Sequence, residues 1–226
     1  MPPKILVITG PTASGKTALA VELALRSGGE VVSADSMQIY RRMDIGTAKP
    51  TQAEMRGVPH HMIDIADPEE DFSVARYVDM AARQVDDILA RGRLPILAGG
   101  TGLYIDSLLS GRTFAAFSPD SPLRGELEKR MALKGGEALL RELAQADPEA
   151  AARLHPNDEK RIIRALEVWL TTGKTITQHN AETQALPPRY NALTLTLAFA
   201  RREDMWARID RRVDRMMADG LAAEVD

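Results

Sequence analysis

The stretch Gly10-Pro11-Thr12-Ala13-Ser14-Gly15-Lys16-Thr17 constrains this chain more than any other. It satisfies every fixed position of the phosphate-binding pattern G-x-x-x-x-G-K-[ST]. Its flanks agree. Lys4 to Thr9 is a short apolar run that predicts a buried strand, and Ala18 to Arg26, rich in Ala and Leu, predicts a helix. Strand, glycine loop and helix together are the context that separates this motif from a chance glycine turn. The glycines let the backbone approach an anion closely. The free N–H groups at the helix start, aided by the helix dipole, hold phosphate oxygens. Lys16 adds a positive charge, and the Thr17 hydroxyl can ligate Mg²⁺. The loop therefore specifies a polyphosphate or a pyrophosphate. It does not specify the reaction.

A loop of this kind needs a parallel sheet around it. Glu30 to Asp35 predicts a second strand that ends in a carboxylate, at the edge where ligands sit in open parallel sheets. Ser36-Met37-Gln38-Ile39-Tyr40 follows, and then a turn-rich surface loop, Gly46-Thr47-Ala48-Lys49-Pro50, of the kind that carries function. Pro59 to Ile65 predicts a third strand. Its adjacent His60 and His61 point to opposite faces, which favours packing over zinc ligation. Asp71 or Ser73 caps a helix that runs to about Arg91, where Gly92 ends it. Leu94 to Gly100 predicts a fourth strand, and its glycines let Thr101 begin the next helix close to a ligand. Repeated strand–helix units imply a parallel sheet with right-handed crossovers.

The pattern changes near Phe114. From Ser118 to about His179 only helical segments are predicted, beginning at Ser121-Pro122, Glu137, Pro148 and Asp158, with Gly135-Gly136 and Gly173 as breaks. Asn191 to Phe199 alternates like a strand that returns to the sheet. The expected fold is α/β: a P-loop NTPase-like parallel sheet flanked by helices, with an all-helical insertion. The core domain covers 1–113 and 191–226, and the insertion covers 114–190. A last helix is predicted from Arg202 to the chain end, with Trp206, Ile209, Val213, Met216, Met217 and Leu221 on its apolar face. Arg208, Arg212 and Arg215 lie on a different face. That stripe is either a solvated surface paired with Asp210, Asp214 and Asp219, or a second phosphate clamp.

Composition narrows the setting. The chain has no Cys, so disulfides and thiolate metal sites are excluded and a reducing cytoplasm is expected. No apolar stretch approaches the length of a membrane span, and the first is too short for a secretion signal. The formal net charge of -3 means that an RNA partner would need local basic patches. A phosphate loop beside a carboxylate suits a kinase, with Asp35 activating an acceptor hydroxyl. It equally suits a transferase from which diphosphate departs. A nucleotide-binding switch fits less well, because no base-reading NKxD-like element is present.

Six blocks, taken in order, carry a resemblance. They are the loop at 10–17, Asp-Ser-Met-Gln-Ile-Tyr at 35–40, Gly-Thr-Ala-Lys-Pro at 46–50, Gly-Val-Pro-His-His-Met-Ile-Asp at 57–64, Gly-Gly-Thr-Gly-Leu-Tyr at 99–104 and Arg-Ile-Ile-Arg-Ala-Leu-Glu-Val at 161–168. Together they resemble the bacterial tRNA dimethylallyltransferases. The resemblance implies transfer of a dimethylallyl group from its diphosphate to N6 of the adenosine 3′-adjacent to the anticodon of tRNA, with Mg²⁺ and release of pyrophosphate. A related activity would modify a free adenine nucleotide. The resemblance also implies roles. Asp35 would be the base and Thr101 an active-site hydroxyl, whose bland role is to cap a helix. Gly10 to Thr17 would hold the diphosphate with Arg212, and Thr17 would hold the metal. Asp35, Ser36, Met37 and Gln38 would meet the adenine of the tRNA, and Arg124, Lys160, Arg161, Ile162, Ile163 and Arg164 would meet the RNA. A monomer is expected. The family usually has Pro-Gln where this chain has Glu159-Lys160, and its chains usually continue well past residue 226 into a tail that grips the anticodon arm.

Overall fold

The computed structural model describes residues 2–111 and 121–225. The expected start of the insertion, at 114, lies outside them. Contacts divide the chain into two compact units, Met1–Gly111 with Pro188–Asp226, and Arg112–Pro187.

The first unit opens with β1 (Lys4–Thr9), whose central residues are buried, and α1 (Lys16–Ser27). Next come β2 (Glu30–Ser33), α2 (Gln52–Met55), β3 (His60–His61) and α3 (Val74–Ala90). Then β4 (Pro95–Ala98) and α4 (Gly102–Leu109) complete this first stretch of the unit. The second unit holds α5 (Pro122–Lys134), α6 (Gly136–Ala146), α7 (Pro148–Ala152), α8 (Glu159–Thr172) and α9 (Ile176–Gln184). The chain then returns to the first unit through β5 (Asn191–Thr196), α10 (Arg202–Ala218) and α11 (Leu221–Val225).

The sheet has five strands in the order β3-β2-β4-β1-β5, and every neighbouring pair is parallel. The expected parallel α/β sheet flanked by helices is therefore present. All strands run the same way, so the residues after β1, β2 and β4 emerge at one edge. Two glycines let that edge close up. A Cβ on Gly10 would lie 2.5 Å from the Leu197 carbonyl oxygen, so the end of β1 could not otherwise pass the residue after β5. A Cβ on Gly99 would lie 2.1 Å from the Ala34 oxygen. Val7, Ile8, Val32, Ile96 and Leu97 fill the sheet interior, with Ala20, Val21 and Ala24 packed on it from α1. The second unit has its own core of Leu127, Leu139, Leu143, Ile162 and Leu166.

Three expectations change. The third strand shrinks from 59–65 to its two histidines, because Met62 (φ 64°) and Asp64 (φ 56°) adopt left-handed backbone that no strand accommodates. The final helix does not run on from Arg202. Gly220 (φ 99°) turns the chain and starts α11 as a separate element. Two helices, α2 and α9, were not anticipated. Each opens with a reciprocal capping box, Thr51 with Glu54 and Thr175 with Gln178, which is a legible signal in retrospect. Among the described residues no helix is long and apolar enough to cross a membrane.

The histidines are structural. His61 Nε2 lies 2.7 Å from Glu30 Oε2, and His60 Nδ1 lies 2.9 Å from the Val58 carbonyl oxygen. Glu30, only 1% exposed, also binds Arg91 and accepts from Arg93 at 2.9 Å. The Arg91 guanidinium, helped by His61, holds its carboxyl down at about 2 against an ordinary 4.5, despite the opposing cost of burial. A depressed carboxylate stabilises the fold above its unfolded pKa, and that contribution drains away as pH falls through the folded value. Glu30→Gln should therefore cost on the order of 2 kcal/mol at neutral pH. The gap to the parent should narrow from about pH 4.5 down to about pH 2, as read by thermal unfolding across that range. A constant gap would show that Glu30 acts through packing alone.

Candidate functional site

The functional edge of the first unit is a cleft of about 590 Å³. It is lined by loop residues Thr12 to Thr17, by Asp35, Gln38, Thr47, Ala48, Glu54 and Gly100, and by Arg208, Arg211, Arg212 and Arg215. The loop is built as an anion cradle. Ala13 (φ 60°) and Gly15 (φ 91°) turn its amides inward, and Gly15 enters α1 with no side chain capping the helix start. Lys16 Nζ donates to the carbonyls of Gly10 (3.0 Å) and Pro11 (2.8 Å), so its charge is centred over the loop. Burial lowers its pKa, the Asp35 charge raises it and Arg212 lowers it again, so these three charges share one site. Ser14 Oγ is buried with no hydrogen-bond partner among the described residues. Such a group costs stability unless a ligand completes it.

Asp35 follows β2 and lines the cleft. Its Oδ1 accepts from the N–H groups of Met37 (2.9 Å) and Gln38 (3.3 Å), which fixes the carboxylate's orientation. Thr101 sits beside it. Its N–H donates to the Ala34 carbonyl (3.1 Å), and its Oγ1 accepts from the Ser36 N–H (3.0 Å). Thr101 is the N-cap residue just before α4: its carbonyl accepts from the Tyr104 and Ile105 N–H groups, while its hydroxyl makes no capping bond and serves Ser36 instead. A hydroxyl that accepts from an amide still has its own proton to donate. Tyr104, one turn on, stacks on Tyr77 with ring centroids 3.9 Å apart. Burial, with help from Tyr40 and Asp35, pushes its phenol up to about 12, so it stays neutral.

Gln38, expected to meet the adenine, lines the cleft and is also tied into the surrounding loop. Its amide nitrogen donates to the Thr47 (3.3 Å) and Ala48 (3.2 Å) carbonyls, and its oxygen accepts from the Ser33 hydroxyl (3.3 Å). The side chain thus ties the 47–48 loop to β2. Ser36 contributes its backbone to Thr101, and the Met37 side chain is 45% exposed.

The arginine stripe forms one wall of the cleft. Arg208, Arg212 and Arg215 line the cleft together with Arg211, which the stripe spacing missed because it lies one residue from Arg212. None of them forms an ion pair with Asp210, Asp214 or Asp219 among the described residues. Arg208, Arg211 and Arg215 are exposed to solvent all the same, so the stripe is at once a solvated face and a wall of the cleft.

In the second unit, the RNA candidates separate by burial. Ile162 (0% exposed) and Ile163 (5%) belong to the helical core, so their side chains are withdrawn from any partner. That corrects the expectation that they touch RNA: they seat α8 rather than contact a ligand. Arg124 and Arg164 both bind the buried Glu167, at 3.5 Å and 2.7 Å. Much of their charge is spent inside the unit. Lys160 and Arg161 are exposed at the start of α8.

Comparison with known proteins decides the lineage. The IPP transferase family model matches residues 38–226. A tRNA dimethylallyltransferase of Acetivibrio thermocellus is 49% identical over 98% of this chain and 71% of its own length. The enzyme of that name from Thermomicrobium roseum is 52% identical over 98% of this chain and 66% of its own.

The chain belongs to the IPP transferase family.

Among solved structures, a tRNA delta(2)-isopentenylpyrophosphate transferase from Staphylococcus epidermidis aligns with TM-score 0.64 at 41% identity, covering 99% of this chain and 72% of that one. A eukaryotic dimethylallyltransferase acting on tRNA aligns with TM-score 0.86 at 31% identity, covering 98% of this chain and 55% of the other. The family model begins at residue 38, yet the relatives extend the match across nearly the whole chain and so across the phosphate loop.

For a metal, this family member offers oxygen donors only. Thr17 and Asp35 both line the cleft, and their hydroxyl and carboxylate are oxygen donors of a kind that suits Mg²⁺. Among the described residues no group of three His, Cys, Asp or Glu side chains could cage an ion. A magnesium ion here would rest on Thr17 and on phosphate oxygens, as this cation commonly does.

Proposed function

We propose that this chain transfers a dimethylallyl group from dimethylallyl diphosphate to N6 of the adenosine 3′-adjacent to the anticodon of tRNA, releasing pyrophosphate. One observation carries the reading: an anion cradle, a fixed carboxylate and a threonine hydroxyl meet at one sheet edge, facing an arginine wall, in a member of the IPP transferase family. The activity for which its relatives are named supports the same conclusion.

The roles follow from the chemistry. The adenine amine is a weak nucleophile because its lone pair is delocalised into the ring. As its nitrogen bonds to C1 of the prenyl group, the C1–O bond to diphosphate breaks and a proton must leave the nitrogen. Asp35, held by two backbone N–H bonds, accepts that proton. Thr101 donates toward the oxygen that bridges C1 and the diphosphate. The loop amides, Lys16 and Arg212 take up the charge that builds on the leaving group. Mg²⁺ bound at Thr17 would neutralise part of that charge. The target base must leave the anticodon stack to reach the cleft. The chain works as a monomer in the cytoplasm on this reading.

The deciding assay supplies labelled dimethylallyl diphosphate with either total tRNA or AMP. Label in tRNA, with pyrophosphate released, is expected. Label in AMP instead would assign a free nucleotide as acceptor, and ADP formed from ATP would return the loop to kinase chemistry. For the RNA face, Lys160 and Arg161 supply phosphate contacts. Replacing each by Ala should lower the slope of log affinity against log salt by about 0.7–0.9. Unchanged slopes would remove both from the interface.

A further inference from the structure

We propose that Glu224 is a positioning residue that latches the arginine wall of α10 over the phosphate cleft. The inference rests on the reading of that cleft as a diphosphate site. Glu224 lies on α11, far along the chain from the site's other parts. Its carboxylate accepts three backbone N–H bonds from the 44–46 loop: Asp44 (2.7 Å), Ile45 (2.7 Å) and Gly46 (2.8 Å). A row of convergent amides that captures a carboxylate is a strong, charge-assisted contact. Leu221 Cδ1 and Glu224 Oε1 both come close to Gly46, within 3.1 Å and 3.5 Å of where a Cβ would stand, so α11 is seated directly on this loop.

The receiving loop is tied down by contacts of its own. The Lys49 side chain is 6% exposed, and its Nζ donates to Asp44 (2.5 Å), Asp64 (2.6 Å) and the Tyr40 carbonyl (2.8 Å). Thr47 Oγ1 donates to the Met43 carbonyl at 2.6 Å. The element that needs holding is α10. It buries none of its residues, and Trp206 (52%) and Met217 (57%) are largely exposed. Packing alone therefore places it weakly. At its start it follows β5, where Arg208 stacks over Phe199 at 5.8 Å. At its far end it continues through Gly220 into α11 and the Glu224 latch. Arg208, Arg211, Arg212 and Arg215 lie between these two tethers and line the cleft. The latched loop also supplies Thr47 and Ala48 to the cleft wall. Releasing Glu224 frees one end of the arginine wall and leaves its approach to the phosphate loop undefined.

The test is calorimetric titration of inorganic pyrophosphate into the full chain and into Glu224→Gln, which keeps the shape and removes the charge. Affinity should fall about tenfold, as expected for losing hydrogen bonds to a charged group. Hydrogen exchange should quicken at amides 44–46 and along α10 while β1 and β4 stay protected. In a background carrying Arg208→Ala, Arg212→Ala and Arg215→Ala, the same change should have no further effect, because both act through one wall. Affinity within about twofold of the parent overturns the latch. So does a full tenfold loss in the triple-alanine background, or a loss of protection throughout the sheet. If the parent chain itself binds no pyrophosphate, the reading of the cleft fails, and the latch with it. Weak binding confined to Glu224→Gln fails neither.

Discussion

Asp35→Asn should slow the prenyl-transfer step by roughly 10²–10⁴-fold while leaving pyrophosphate affinity close to that of the parent. The amide keeps the shape and can still accept from the Met37 and Gln38 N–H groups through its oxygen, so the local turn survives. What it loses is the ability to take a proton from the adenine amine. The loop amides and Lys16 are untouched, and Asp35 is not among the groups that grip the leaving group. The effect should therefore appear in single-turnover rates with labelled dimethylallyl diphosphate and tRNA, and not in calorimetric binding of pyrophosphate. A single-turnover rate near that of the parent would remove Asp35 from the role of base. Lost pyrophosphate binding would instead make it part of the anion site.

Gly99→Ala should damage both stability and catalysis. A Cβ at this position would lie 2.1 Å from the Ala34 oxygen and 2.3 Å from its carbonyl carbon. Both are backbone atoms that cannot rotate away. The end of β4 must then retreat from the end of β2, at a cost of about 3 kcal/mol by analogy with overpacked cores. The Thr101 N–H bond to Ala34 and the Ser36 N–H bond to Thr101 both cross this junction. Moving it by even an ångström takes the Thr101 hydroxyl out of register with Ser36 and its neighbour Asp35, which should lower turnover by about 10²-fold. Urea unfolding and steady-state turnover measure the two effects. Parent-like values of both would mean that the junction has slack, and that Thr101 is not held by Gly99.

The site was legible in the chain to different depths. The loop at 10–17 could be read outright because it is local: eight consecutive residues make their own geometry through backbone amides and glycine dihedrals. Asp35 could be read as a strand-end carboxylate because parallel sheets place their ligands at that edge. The arginine stripe was visible as periodicity but had two meanings, since helical spacing says which residues share a face and not what that face meets. Burial separated Ile162 and Ile163 from Lys160 and Arg161, although the four are consecutive in the chain. A short motif carries both residues that seat a helix and residues that it displays, and only the packing partner tells them apart.

By itself, the sequence determined the phosphate cradle, the parallel sheet that must surround it and the helical character of the stretch between the returning strands. These rest on local rules: glycine and proline dihedrals, capping residues and apolar periodicity. Only the tertiary structure decided that the Thr101 hydroxyl meets the Ser36 amide, that Gln38 is tied to the 47–48 loop, and that Glu224 reaches back to residues 44–46. It also placed the arginines of α10 in the same cleft as Lys16. These contacts join residues far apart in the chain, and their energies depend on distances that no local pattern encodes. The opening loop therefore stands as half of a site. The chain specifies the anion cradle, and the fold specifies what is brought against it.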